Sequence, residues 1–165
     1  MCSPYSLNNQ SAFHTNSFSI ELWVNPNASQ VAYADILGNH GGTNTGFVIQ
    51  QNGSANNQYY FSYGNTASWL YTSTFNLTPS VYNHLVVAKN GTYTSVYVNG
   101  ARVTYDNLTA SIAPNNNFTM KIGIGYDGGG RYYSGIIPSV KIYNRELSAA
   151  EILQNFTAFR GRFGA

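Results

Sequence analysis

Apolar side chains recur at every second position through much of this chain, and the alternation is interrupted at roughly eight- to twelve-residue intervals by Gly, Asn or Pro. The clearest stretch sets Phe18, Ile20, Leu22 and Val24 against Ser17, Ser19, Glu21 and Trp23, and stops at Asn25-Pro26-Asn27, where proline withholds a ladder donor. Shorter strands are predicted at 35–37 and 46–51, the second running through Asn52-Gly53 and a polar turn into 58–63 as a hairpin. Leu85-Val86-Val87-Ala88 is a continuous apolar run closed by Asn90-Gly91, and Ser95-Val96-Tyr97-Val98 is closed by Asn99-Gly100. Asn-Gly supplies the two positive φ angles of a type I′ turn, which pairs 96–98 with 101–104. Segments 118–124 and 136–143 read as strands on either side of a glycine loop, Asp127-Gly128-Gly129-Gly130. About ten short strands of this kind make an all-β chain folded as a two-sheet antiparallel sandwich.

A single segment carries helix signals. Ser148 and Glu151 stand at capping-box spacing and Leu147 and Ile152 at staple spacing, which predicts a short helix over 149–156. The residues after it, 157–165, form a tail that alternates aromatic, basic and small side chains. Either it packs back on the sandwich as a cover, or Phe159, Arg160, Arg162 and Phe163 reach a neighbouring subunit, where Phe and Arg are favoured anchors.

At 165 residues the chain is long enough to bury a core unaided, so 1–165 is read as one domain with its core over about 17–156. Charged residues make up 8% of it, against roughly 25% in an average soluble protein, and tyrosines lift the aromatic share to 15%. Such a neutral, hydrogen-bonding surface suits a particle or extracellular setting. The net charge of +2 is spread thinly, with no basic run able to neutralise a row of phosphates, which argues against nucleic-acid binding. Nothing approaches the roughly 20 apolar residues of a membrane span, and Met1-Cys2-Ser3-Pro4-Tyr5 lacks the basic and apolar regions of a signal peptide. Cys2 is the lone cysteine, so no intrachain disulfide staples the fold.

Four segments together resemble the laminin G-like branch of the concanavalin A-like superfamily: Phe18-Ser19-Ile20-Glu21-Leu22-Trp23-Val24-Asn25-Pro26, Tyr82-Asn83-His84-Leu85-Val86-Val87, Val96-Tyr97-Val98-Asn99-Gly100 and Val140-Lys141-Ile142-Tyr143-Asn144-Arg145-Glu146-Leu147-Ser148. Their order and spacing carry the resemblance, which covers 18–156 and implies a jelly-roll sandwich. The chain departs from that pattern at Tyr82, where the family usually has tryptophan, and at Ile137-Pro138-Ser139, where an acidic pair is common. The family's first strand is thinly represented by 4–13, so it is either reduced or replaced by a partner's edge. The closing residues 154–164 are similar to the ending of laminin G-like domains in tailed-phage structural proteins, which implies a virion setting.

A hydrolase on this fold would need two carboxylates facing each other across the scissile bond. Glu21, Asp35, Asp106, Asp127, Glu146 and Glu151 are the whole acidic inventory, each alone in its strand or turn, and His14, His40 and His84 show no metal spacing. The expectation is therefore a protein that is not an enzyme. Calcium is the cofactor that the resemblance implies, with Asp127 as the candidate ligand and Asp35 as a helper. Glycans are the candidate ligands for aromatic faces framed by amides: Tyr59 and Tyr63 (with Phe61 between them), Trp69, Tyr71, Tyr132 and Tyr133. The competing reading is that half of these rings fill the core. Asn-X-Ser/Thr triplets at Asn27, Asn52, Asn76, Asn90, Asn107 and Asn117 read as incidental in a chain this rich in Asn, Ser and Thr. Taken together, the sequence points to a non-enzymatic structural or decoration protein of a virion surface, partnered by virion proteins or by further copies of itself and touching glycans. The alternative is an extracellular lectin domain with or without calcium.

Overall fold

The computed structural model describes residues 16–41, 43–115, 119–125 and 130–164. The strand expected within 4–13, together with Cys2, His14, Asn117, Phe118 and Asp127-Gly128-Gly129, lies outside them. Along the chain run β1 (Ser17–Pro26), β2 (Asp35–Gly38), β3 (Phe47–Gln51), β4 (Gln58–Gly64), β5 (Trp69–Tyr71), β6 (Phe75–Asn76), β7 (Asn83–Asn90), β8 (Tyr93–Val98), β9 (Ala101–Asn107), β10 (Lys121–Ile122), β11 (Gly135–Tyr143) and α1 (Ala149–Phe163). The strands form two antiparallel sheets, one ordered β11-β1-β7-β8-β9 and the other β10-β2-β3-β4-β5, with β6 also pairing β4. This is the expected sandwich.

Period-2 alternation assigns the faces. Phe18, Ile20, Leu22 and Val24 of β1 meet Leu85, Val87 and Val96 on their own sheet, and face Phe47, Ile49, Tyr59, Phe61 and Tyr63 from the other. The rings of Phe18, Phe47 and Phe61 lie with centroids 6.1 to 6.2 Å apart at the centre of this core. One inward-facing cation is accommodated: Lys89 Nζ donates to the Leu108 carbonyl at 2.7 Å and stands 5.0 Å from the Tyr63 ring, while burial pulls its pKa down to about 8.

The turns follow their chemistry. Asn99 and Gly100 both take positive φ (52° and 79°), and Val98 pairs with Ala101, as a type I′ hairpin requires. Beyond that turn β9 runs to Asn107, three residues past the expected pairing, with a register shift opposite Val96 and Tyr97. Among the described strands β9 and β11 are the outermost of their sheet, and β11 carries Pro138, whose missing N–H is tolerated at a rim. Of the strand expected over 118–124, the described residues 119–124 form a strand at Lys121–Ile122.

The helix departs most from expectation. It continues to Phe163 and ends on Gly164 in the left-handed conformation, so the tail is helical instead of an alternating extension. Ile152, Phe156, Phe159 and Phe163 recur at spacings of four, three and four residues, which lays them on one helical face. That face covers the outside of the first sheet: Phe163 stacks on Trp23 at 4.4 Å and approaches Tyr82 at 5.3 Å, Phe156 lies 6.1 Å from Trp23, and Lys141 Nζ stands 4.7 Å from the Phe159 ring. Two of the four residues proposed for assembly, Phe159 and Phe163, are thus engaged within their own chain. Arg160 and Arg162 stay exposed in the last turn, where they complement the helix dipole.

The capping box is complete, with the Ser148 hydroxyl accepting from the Glu151 amide at 3.3 Å and the Glu151 carboxylate accepting from the Ser148 amide at 2.8 Å. Ser148→Ala is expected to lower stability by about 1 kcal/mol, read as a shift in urea midpoint at constant m. No shift would mean that packing alone sets the helix start.

Candidate ligand-binding cleft

Strand register brings a polar and aromatic surface together on the outer face of the second sheet. One row crosses three strands as Asp35–Gln50–Tyr60, and the next as Val48–Ser62–Tyr71. Trp69 lies opposite Gly64 at the β5 rim. Loops complete the walls: Tyr33 precedes β2, His40 and Gly41 follow it, and Arg131 precedes β11. The result is a cleft of about 290 Å³ lined by Tyr33, His40, Gly41, Val48, Gln50, Tyr60, Ser62, Trp69, Tyr71 and Arg131.

The floor is held by a chain of hydrogen bonds. Tyr60 OH donates to Gln50 Oε1, and Gln50 Nε2 donates to Asp35 Oδ1. His40 Nε2 donates to Asp35 Oδ2 at 2.8 Å. Burial first, then the neighbouring Tyr71, Asp35 and Tyr33, push the Tyr60 phenol up to about 12, so it keeps its proton and its role as donor. Rings fix the walls: His40 meets Trp69 edge-on at 5.8 Å, Tyr60 meets Tyr71 edge-on at 5.3 Å, and the Arg131 guanidinium stands 5.5 Å from the Tyr33 ring.

The six proposed glycan-contacting rings therefore divide. Trp69 and Tyr71 line the cleft. Tyr59 and Tyr63 do not, because they occupy the inner face of β4 and are fully buried in the core; Tyr63 OH donates to the carbonyls of Leu108 and Ala110. Tyr133 is also a core residue, and its phenol is pushed up by burial. Tyr132 points outward, half exposed, and bridges Asp35 through the backbone beside the cleft wall.

The sequence reading missed Tyr33, His40, Gln50, Tyr60, Ser62 and Arg131. A signal existed for Tyr60: in Tyr59-Tyr60-Phe61-Ser62-Tyr63 the 59/61/63 face is wholly aromatic, whereas the 60/62 face contains a serine, and the more apolar face turns inward.

Asp35 does not suit calcium. It is 1% exposed and both its oxygens already accept from nitrogen donors, which a hard cation would have to displace. Among the described residues no three His, Cys, Asp or Glu side chains gather into a metal-binding group. Asp127 lies outside them.

A second polar cluster sits under α1. Glu21, 1% exposed, accepts from Lys141 Nζ at 3.0 Å, Tyr143 OH at 2.7 Å and Asn155 Nδ2 at 2.9 Å, with His84 Nε2 3.3 Å away. Burial raises this carboxyl, but the nearby His84 side chain, the hydrogen bonds from Tyr143 and Lys141 and the Lys141 charge together outweigh it and hold the pKa at about 2. Among the described residues each cluster contains one carboxylate, and neither presents the facing pair that glycoside hydrolysis uses.

Residues 3–153 match the laminin G family described as the concanavalin A-like lectin/glucanases superfamily. The chain belongs to that superfamily. No curated protein matches it. Among solved structures, this superfamily member is similar to domain 4 of the extracellular arabinanase AbnA from Geobacillus stearothermophilus, solved with arabinotriose, at 17% identity and a TM-score of 0.67, covering 84% of this chain and 66% of that one. A putative carbohydrate-binding protein from Bacteroides ovatus gives 15% identity and a TM-score of 0.71, covering 92% and 43%. The receptor-binding domain of botulinum neurotoxin type G gives 15% and 0.69, covering 88% and 38%. These likenesses establish a lectin-like jelly-roll fold, and the chain spans less than half the length of the last two.

Proposed function

We propose that the chain is a non-catalytic carbohydrate-binding domain whose ligand lies in the cleft on the outer face of the second sheet. The observation that carries this reading is the pairing of the Trp69 and Tyr71 walls with a floor locked by Tyr60, Gln50, Asp35 and His40. Aromatic walls offer flat faces to sugar C–H groups, while a floor fixed before the ligand arrives reduces the ordering that binding costs. The Asp35 carboxylate, closed off by its own donors, supports binding over hydrolysis.

A virion or extracellular surface is the setting this reading favours. It is supported by the 8% charged composition and by the similarity of the closing residues to phage laminin G-like domains. Virion proteins or further copies of the chain would be its partners there.

Titration against a panel of oligosaccharides is expected to show binding by the natural chain, weakened about ten-fold or more by Trp69→Ala, the size of one well-packed aromatic anchor. A chelator is expected to leave that binding unchanged, given how Asp35 is engaged. Equal affinity in Trp69→Ala would move the ligand elsewhere on the domain.

A further inference from the structure

We propose that a pocket between α1 and β11 is a second binding site, separate from the cleft, and that it takes a small aromatic ring bearing a carboxylate. The pocket measures about 130 Å³. Strand register builds its inner side: Trp23 of β1 lies opposite Ser139 of β11 and Glu21 opposite Lys141, so alternation sets Trp23, Ser139 and Lys141 on the outer face of the first sheet. The end of α1 closes the other side with Phe159, Arg162 and Phe163. A cavity of about 150 Å³ with an apolar lining holds a benzene ring, so a single six-membered ring fills a space of this size. Aromatic walls from Trp23, Phe159 and Phe163 favour a flat apolar body there.

Charge and hydrogen bonding supply the acid. Lys141 Nζ stands 4.7 Å from the Phe159 ring and the Arg162 guanidinium 5.7 Å from the Phe163 ring, which puts two cations along one aromatic wall. The Lys141 ammonium carries three donors and gives one to Glu21 at 3.0 Å, so it can serve a ligand without releasing that carboxylate. Arg162 presents a planar fork suited to a carboxylate. Trp23 adds an independent sign: it is 1% exposed, and among the described residues its indole N–H has no hydrogen-bond partner. A buried donor in that condition is costly, and an occupant that brings an oxygen relieves it. The carbonyls at the end of a helix by themselves disfavour an anion, so the acidic end of the ligand depends on Arg162 and Lys141.

The chain has two tryptophans, so a proton–nitrogen correlation spectrum carries two indole N–H signals, which Trp69→Phe assigns. Titration with benzoate is expected to move the Trp23 signal saturably, with a Kd of about 1 mM or below, and to leave the Trp69 signal in place. Benzyl alcohol, which keeps the ring and loses the charge, and acetate, which keeps the charge and loses the ring, should each bind about ten-fold more weakly; this comparison on the natural chain needs no variant. Arg162→Gln should bring benzoate down to the level of benzyl alcohol, whereas Arg160→Gln, at the same helix end but not lining the pocket, should leave the affinity unchanged. Benzyl alcohol or acetate bound as tightly as benzoate, a preference that survives Arg162→Gln, an equal loss in Arg160→Gln, or a Trp23 signal that stays still at about 10 mM benzoate would each overturn the assignment. The carbohydrate reading of the cleft stands or falls separately, on the Trp69→Ala titration.

Discussion

Ending the chain at Asn155 is expected to lower the unfolding free energy by upward of about 5 kcal/mol, a large share of the roughly 5–15 kcal/mol that holds a domain together. Phe156, Phe159 and Phe163 are half-buried rings on the outer face of the first sheet, and removing them uncovers Trp23, which is 1% exposed. A fully buried Phe replaced by Ala costs about 3–5 kcal/mol, so three partly buried rings reach the stated figure without any one being a core residue. The seven residues left in α1 are too few to hold a helix on their own. Urea unfolding in a Trp69→Phe background, where Trp23 reports alone, should show both an earlier midpoint and a red-shifted native emission. An unchanged midpoint would mean that the helix is a passenger. Loss of oligomers in such a truncated chain would therefore not by itself locate a subunit contact.

The second large effect belongs to Glu21. Its carboxyl stands at about 2 in the folded chain against an ordinary 4.5, so the folded state favours the ionised form. Its contribution, about 3 kcal/mol, is fully present above pH 4.5 and is lost as the pH falls from 4.5 towards 2. Glu21→Gln is expected to cost that amount at pH 7 and little at pH 2. Stability measured across this range should accordingly fall less steeply for the variant than for the natural chain. Glu151, whose pKa the Arg145 and Ser148 hydrogen bonds also hold at about 2, titrates in both proteins and cancels from the difference. Parallel curves for the two would sink the assignment.

How much of this was legible beforehand depended on whether one face of a strand differs chemically from the other. β1 sets aliphatic against polar side chains, and its orientation, its end at Pro26 and the Asn99-Gly100 hairpin all follow from local chemistry. β4 carries a tyrosine on each face, so only the serine beside Tyr60 marks the outer one, and pairing with Phe47 and Ile49 on β3 fixes Tyr59 and Tyr63 inward and Tyr60 out. His40, Tyr33 and Arg131 join the cleft from separate loops, a convergence set by long-range pairing such as the Asp35–Tyr132 bridge, which has no local signature. The helix end was readable in principle, since the 152/156/159/163 spacing is helical, but Gly161 and two arginines obscure it.

The two outermost described strands of the first sheet, β9 with its register shift and β11 with Pro138, bear on how the molecule behaves in a crowd. A rim that bends or lacks a donor makes a poor template for another chain's backbone. Copies held side by side at high local density should accordingly keep their individual boundaries and resist fusing into fibrils.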